Sequence, residues 1–125
     1  MNTHTGKIGR LDAVNLDTRQ EVWQFRDRSA QPSAVLATAG GLVFAGSYDR
    51  YLRAFDDRTG AVLWQMRVQD IVSTFPITYS VDGKQYIAIS VGSASIYGAG
   101  LGGMHRELQM TTPPPTTVLW VFALP

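Results

Sequence analysis

Few side chains in this sequence combine the type and the spacing that chemistry requires. The histidines, His4 and His105, stand far apart, and neither has a second ligand at zinc spacing. Cysteine is absent, which removes disulfides, thiolate metal sites and a cysteine nucleophile. Asp12, Asp17, Asp49, Asp56, Asp57 and Asp82 fall at turns or strand ends, where Asp serves to cap main-chain N–H groups, and none is placed for proton transfer. Arg50 and Arg53 beside Asp49 read as a rim ion pair, worth at most about 1 kcal/mol when exposed. Two loops of small polar residues, RSAQPSA (28–34) with Pro32, Ser33 and Ala34 and GSASIYG (92–98) with Ser93 and Ala94, carry residue types that by themselves assign no ligand. No catalytic residue and no metal-ligand set is expected in the chain.

The elements that must position those loops are announced by a repeat. AVNLDTRQEVW (13–23) recurs as AFDDRTGAVLW (54–64), so that Trp23 and Trp64 stand 41 residues apart. Ala13, Asn15, Thr18 and Trp23 match Ala54, Asp56, Thr59 and Trp64; Gly60 of the second copy is matched by Arg19 in the first. A strand, a capped turn and a strand recurring at about 40 residues is the pattern of propeller blades. Asn15 or Asp56, with the threonine, caps the turn, and the tryptophan packs flat between neighbouring blades. Arg19 in place of glycine points to a strained or different turn.

Alternation and turn punctuation predict nine strands near 8–14, 21–26, 34–37, 42–47, 51–56, 62–68, 76–80, 85–91 and 118–124. The fold expected is all-β: a partial β-propeller in a single domain, 1–125, with one complete four-stranded blade at about 33–69 flanked by two incomplete ones. A long Gly/Pro-rich loop is expected over 92–117. The last strand, VLWVFAL, is apolar on both faces and is expected to be buried between neighbours. Open outer strands are expected to be covered by the missing blades of a longer chain or by further copies of this one, or else to leave the chain unstable.

Composition bounds the rest. With 11 basic and 10 acidic residues in 125, the net charge of +1 gives no field for nucleic acid. No run reaches the roughly 18 apolar residues of a membrane span, and the first residues show no signal peptide.

The repeat, the penultimate-blade segment VLATAGGLVFAGSYDRYLRAFD (35–56), the segment FPITYSVDGKQYIAISVG (75–92) and the closing WVFALP (120–125) together resemble the carboxyl-terminal part of pyrroloquinoline quinone (PQQ)-dependent dehydrogenases. The resemblance implies an eight-bladed propeller that oxidises alcohols or sugars in the periplasm, with Ca²⁺ or a lanthanide beside PQQ and a catalytic Asp on earlier blades. It implies that Pro32, Ser33, Ala34, Ser93 and Ala94 lie beside the cofactor, in places where relatives carry Trp and Gly. It also implies a structural docking role for Ala13, Asn15, Thr18, Trp23, Ala54, Asp56, Thr59, Gly60 and Trp64. The alternative is a non-catalytic propeller scaffold or binding module that closes its ring by oligomerisation.

Overall fold

A computed structural model describes residues 6–92 and 117–125; the expected loop over 92–117, with Ser93 and Ala94, lies almost wholly outside the described residues. Nine strands form: β1 Gly9–Val14, β2 Glu21–Asp27, β3 Leu36–Ala37, β4 Leu42–Gly46, β5 Tyr51–Asp56, β6 Val62–Arg67, β7 Ile77–Val81, β8 Lys84–Gly92 and β9 Thr117–Ala123. They pair antiparallel as three consecutive meanders, β1-β2, β3-β4-β5-β6 and β7-β8-β9. This is a partial propeller with one complete blade between two incomplete ones.

The two repeat copies fold alike. In each, the alanine stands opposite the tryptophan, Ala13 with Trp23 and Ala54 with Trp64, and the register then slips by one residue toward the turn. The slip is a bulge that sharpens local twist. Asn15 Oδ1 accepts from the N–H groups of Asp17 and Thr18, at 2.9 and 3.0 Å. Asp56 Oδ1 accepts from Arg58 and Thr59, both at 2.9 Å. Arg19 sits at φ 57° and Gly60 at φ 71°, so the turns share one type, and Arg19 occupies the left-handed conformation that glycine takes without cost.

The central sheet is buried on both faces because LVFAG and YLRAFD put apolar residues on alternate sides. Val43, Ala45 and Phe55 pack against Leu11 and Phe25 of the first sheet. Leu52, Phe44 and Ala54 face the third sheet, meeting Ile87, Ile89 and Val91 of β8 and the β9 face of Val118, Trp120 and Phe122.

Two expectations are corrected. β9 is an outer edge among the described residues, pairing with β8 alone, and only alternate side chains reach the core: Leu119 is 67 % exposed. Double-sided apolar sequence marks a strand built to be covered, and one neighbouring sheet covers one face. β3 is shorter than expected because Ala34 leaves the ladder, its N–H donating to the Thr74 carbonyl at 3.1 Å.

Candidate functional site

The connections between the sheets converge at one end of the stack, opposite the capped turns. Three N–H groups of the β4–β5 turn hold the 29–34 segment: Gly46 donates to Ser33 Oγ at 2.6 Å, Tyr48 to the Ala30 carbonyl at 2.9 Å, and Asp49 to Ser29 Oγ at 2.8 Å. The belt continues into the β6–β7 connection. Val72 N–H donates to the Ser47 carbonyl and Gly92 N–H to that of Ile71, both at 3.4 Å, while the Thr74 hydroxyl donates to the Ser90 carbonyl. Loop main chain that would otherwise be buried unpaired is thus satisfied.

Close approach at this belt depends on Gly46. A Cβ there would lie 2.0 Å from Val72 Cγ1 and 3.3 Å from Ser33 Cβ. Ser33, one of the residues expected beside a ligand, has its hydroxyl hydrogen committed to the Ala34 carbonyl at 2.8 Å and one lone pair to Gly46. Its side chain therefore presents an acceptor to a ligand, not a donor. Pro32 has no N–H, and the N–H of Ala34 is committed to Thr74. Among the described residues, the Ser33 main-chain N–H is the donor this triplet has left to offer.

Sequence reasoning missed the polar residues buried behind the belt. Tyr48 and Asp70 are fully buried, and the Tyr48 hydroxyl is held above its usual pKa, by burial first and by the Asp70 charge second. Arg53 is only 7 % exposed, not part of a rim. Its guanidinium donates to Ser47 Oγ at 2.8 Å and Gln65 Oε1 at 3.2 Å, and reaches Asp27 across the sheet interface at 3.2 Å and Asp49 at 3.6 Å. The rings of Phe25 and Tyr51 lie 5.6 and 4.9 Å from its central carbon. An arginine on a strand with alternating apolar neighbours is the one available signal. Among the described residues, no group of three or more His, Cys, Asp or Glu could hold a metal ion.

At the opposite end the repeat residues meet across the first interface. Trp23 Nε1 donates to the Asp57 carbonyl at 2.8 Å, and its ring lies so close to Gly60 that a Cβ there would be 2.5 Å from Cε3. Trp23 also stacks on Phe55, with centroids 6.3 Å apart. Trp64 stands edge-on to Phe122 at 5.2 Å and is 38 % exposed, against 8 % for Trp23. It borders an apolar cleft of about 510 Å³ lined by Phe44, Ala54, Leu63, Phe122 and Leu124.

Residues 3–87 match the family described as PQQ: Glucose/ethanol/alcohol dehydrogenase, beta-propeller domain. Over 117 residues the chain is 43 % identical to the 1-butanol dehydrogenase (cytochrome c) of Thauera butanivorans, covering 94 % of this chain and 16 % of that protein. It superposes on the quinohemoprotein alcohol dehydrogenase of Comamonas testosteroni with a TM-score of 0.75 and 30 % identity, over 91 % of this chain and 16 % of the other. A europium-containing methanol dehydrogenase superposes at 0.74 with 28 % identity, over 92 % and 23 %. The chain spans about a fifth or less of the length of the curated relatives it matches.

Proposed function

The chain belongs to the PQQ family of glucose/ethanol/alcohol dehydrogenase β-propellers, and from that premise we propose that it forms one sector of the cofactor-bearing end of a PQQ-dependent alcohol dehydrogenase. The observation that carries the reading is the hydrogen-bonded belt of residues 29–34, 46–49 and 70–74, which brings the inter-sheet connections to one end of the stack. In such an enzyme bound PQQ, with a metal ion, would supply the two-electron acceptor for oxidation of an alcohol.

This chain's share is positional. Pro32, Ser33 and Ala34 line the wall, and the Ser33 N–H is its donor toward a cofactor carboxylate. The donor set fits a wall and does not fit the metal site. On this reading a catalytic Asp and the metal ligands, Ca²⁺ or a lanthanide, come from other blades, and the setting is periplasmic.

The partner is the rest of the propeller from the same parent chain. Trp23 is sealed by the capped turn of the next sheet, whereas Trp64 and the outer edge of β9 have no such cover among the described residues. Light scattering tests this arm: a discrete closed oligomer of the chain would favour the self-assembling scaffold instead.

The cofactor arm is tested by titrating the chain with PQQ in the presence of Ca²⁺ or La³⁺, following tryptophan fluorescence. Because the metal ligands and most cofactor contacts are assigned to other blades, this chain alone is not expected to bind tightly. Saturable quenching that is lost in Ser33→Asp, which sets a like charge against the cofactor carboxylates, supports the wall, and binding that survives Ser33→Asp unchanged overturns it.

A further inference from the structure

Arg53 brings a charge into an interface that is otherwise apolar, and such a charge is costly unless it is paired and hydrogen-bonded. Its partners are distributed in a particular way. Asp27 closes β2 on the first sheet; Ser47 and Asp49 belong to the β4–β5 turn; Gln65 sits opposite on β6. The Ser47 hydroxyl in turn donates to the Asp49 carboxylate, so the guanidinium and the turn form one connected unit. That same turn presents the N–H groups of Gly46, Tyr48 and Asp49 to the 29–34 segment.

The segment is therefore gripped at both ends by groups that Arg53 holds. Asp27 lies just before it in the chain, and the turn lies against it. Asp27 Oδ2 makes an ion pair with Arg53 and, among the described residues, has no hydrogen bond of its own, so the link to the first sheet is one of charge. The flanking rings of Phe25 and Tyr51 leave the guanidinium plane little freedom to swing away.

We propose that Arg53 is a positioning residue, which sets the place of the 29–34 segment, and with it the wall formed by Pro32, Ser33 and Ala34, by tying Asp27 to the Ser47–Asp49 turn. Its meaning for a cofactor rests on the function proposed above; its mechanical part does not. Arg53 touches no ligand on this reading. It acts through the turn, and the fork of its guanidinium reaches both sheets where a lysine would supply a single point charge.

The test is amide hydrogen exchange of the full chain without quinone, comparing wild type with Arg53→Met and Arg53→Lys. The expected result is exchange faster by about tenfold or more at Gly46, Tyr48 and Asp49 in Arg53→Met, with Arg19 and Gly60 at the far end unchanged. Arg53→Lys should fall between, since it keeps the charge and loses the fork. Unchanged exchange at the three turn amides in a folded Arg53→Met would overturn the proposal. So would an equal acceleration at all five amides, the mark of general destabilisation. If Arg53→Met does not fold, Asp27→Asn replaces it: the same three amides should loosen although Asp27 lies on another sheet, and no change there rejects the link. Because no quinone is present, a failure to bind PQQ leaves this result standing, and the reverse also holds.

Discussion

Gly60→Ala puts the repeat to its sharpest test, because one methyl group meets two separate penalties. The residue sits at φ 71°, where a Cβ costs about 1–2 kcal/mol. The same Cβ would stand 2.5 Å from Trp23 Cε3 and 2.6 Å from Cδ2. The indole cannot easily retreat, being bonded to the Asp57 carbonyl at 2.8 Å and stacked on Phe55. Overpacking of this kind costs about 1–3 kcal/mol. Loss of unfolded-state freedom returns about 0.4–1 kcal/mol. The net expectation is destabilisation by about 1–5 kcal/mol, read from urea unfolding followed by fluorescence and circular dichroism.

Arg19→Gly is the mirror case, since Arg19 holds the equivalent place at φ 57°. Relief of strain against lost stiffness leaves stability unchanged or raised by up to about 1 kcal/mol. In a Trp23→Leu background Gly60→Ala should cost only the strain, about 1 kcal/mol. A Gly60→Ala variant within about 0.5 kcal/mol of wild type would refute the reasoning, because surface substitutions alone span that range.

Gly46→Ala should destabilise by about 1–3 kcal/mol through its clash with Val72, and Val72→Ala in the same chain should recover part of the loss in the same unfolding assay. Trp23→Phe removes the bond to the Asp57 carbonyl and should cost about 1 kcal/mol or more, above the cost of Trp64→Phe, whose ring is 38 % exposed; equal losses would contradict the difference between the two interfaces. Asp56 titrates below its ordinary 3.8, first because the Arg58 N–H and then the Thr59 N–H bond its carboxylate. A lowered folded pKa stabilises above 3.8 and is lost as pH falls through the folded value, so Asp56→Asn should flatten the acid limb of stability against pH. Asn15 already makes the same bonds without a titrating group, so Asn15→Asp should steepen that limb.

Much of the architecture was legible because its signals are local. Asn15 and Asp56 cap turns only two and three residues ahead, and Tyr51–Asp56 alternates within a single strand. Arg19 shows the limit: the sequence reads as a different or strained turn, and the fold keeps the same turn type and accepts a positive φ. Residues 28–35 were legible as a connection between strands. The role of Ser33 was not, since its hydroxyl is committed by Gly46, 13 residues away, a contact no local pattern encodes.

Sequence alone determined the class: the 41-residue recurrence of tryptophan, the capped turns and the apolar alternation admit consecutive antiparallel meanders and little else. Tertiary structure alone decided what those meanders do to one another. It made Trp23 a sealed contact and Trp64 a half-open one, left one face of β9 uncovered among the described residues, and carried Arg53 from an expected rim into the heart of an interface. Turn dihedrals and side-chain alternation are set within a few residues, whereas burial and pairing sum over sheets that meet only once the chain has folded.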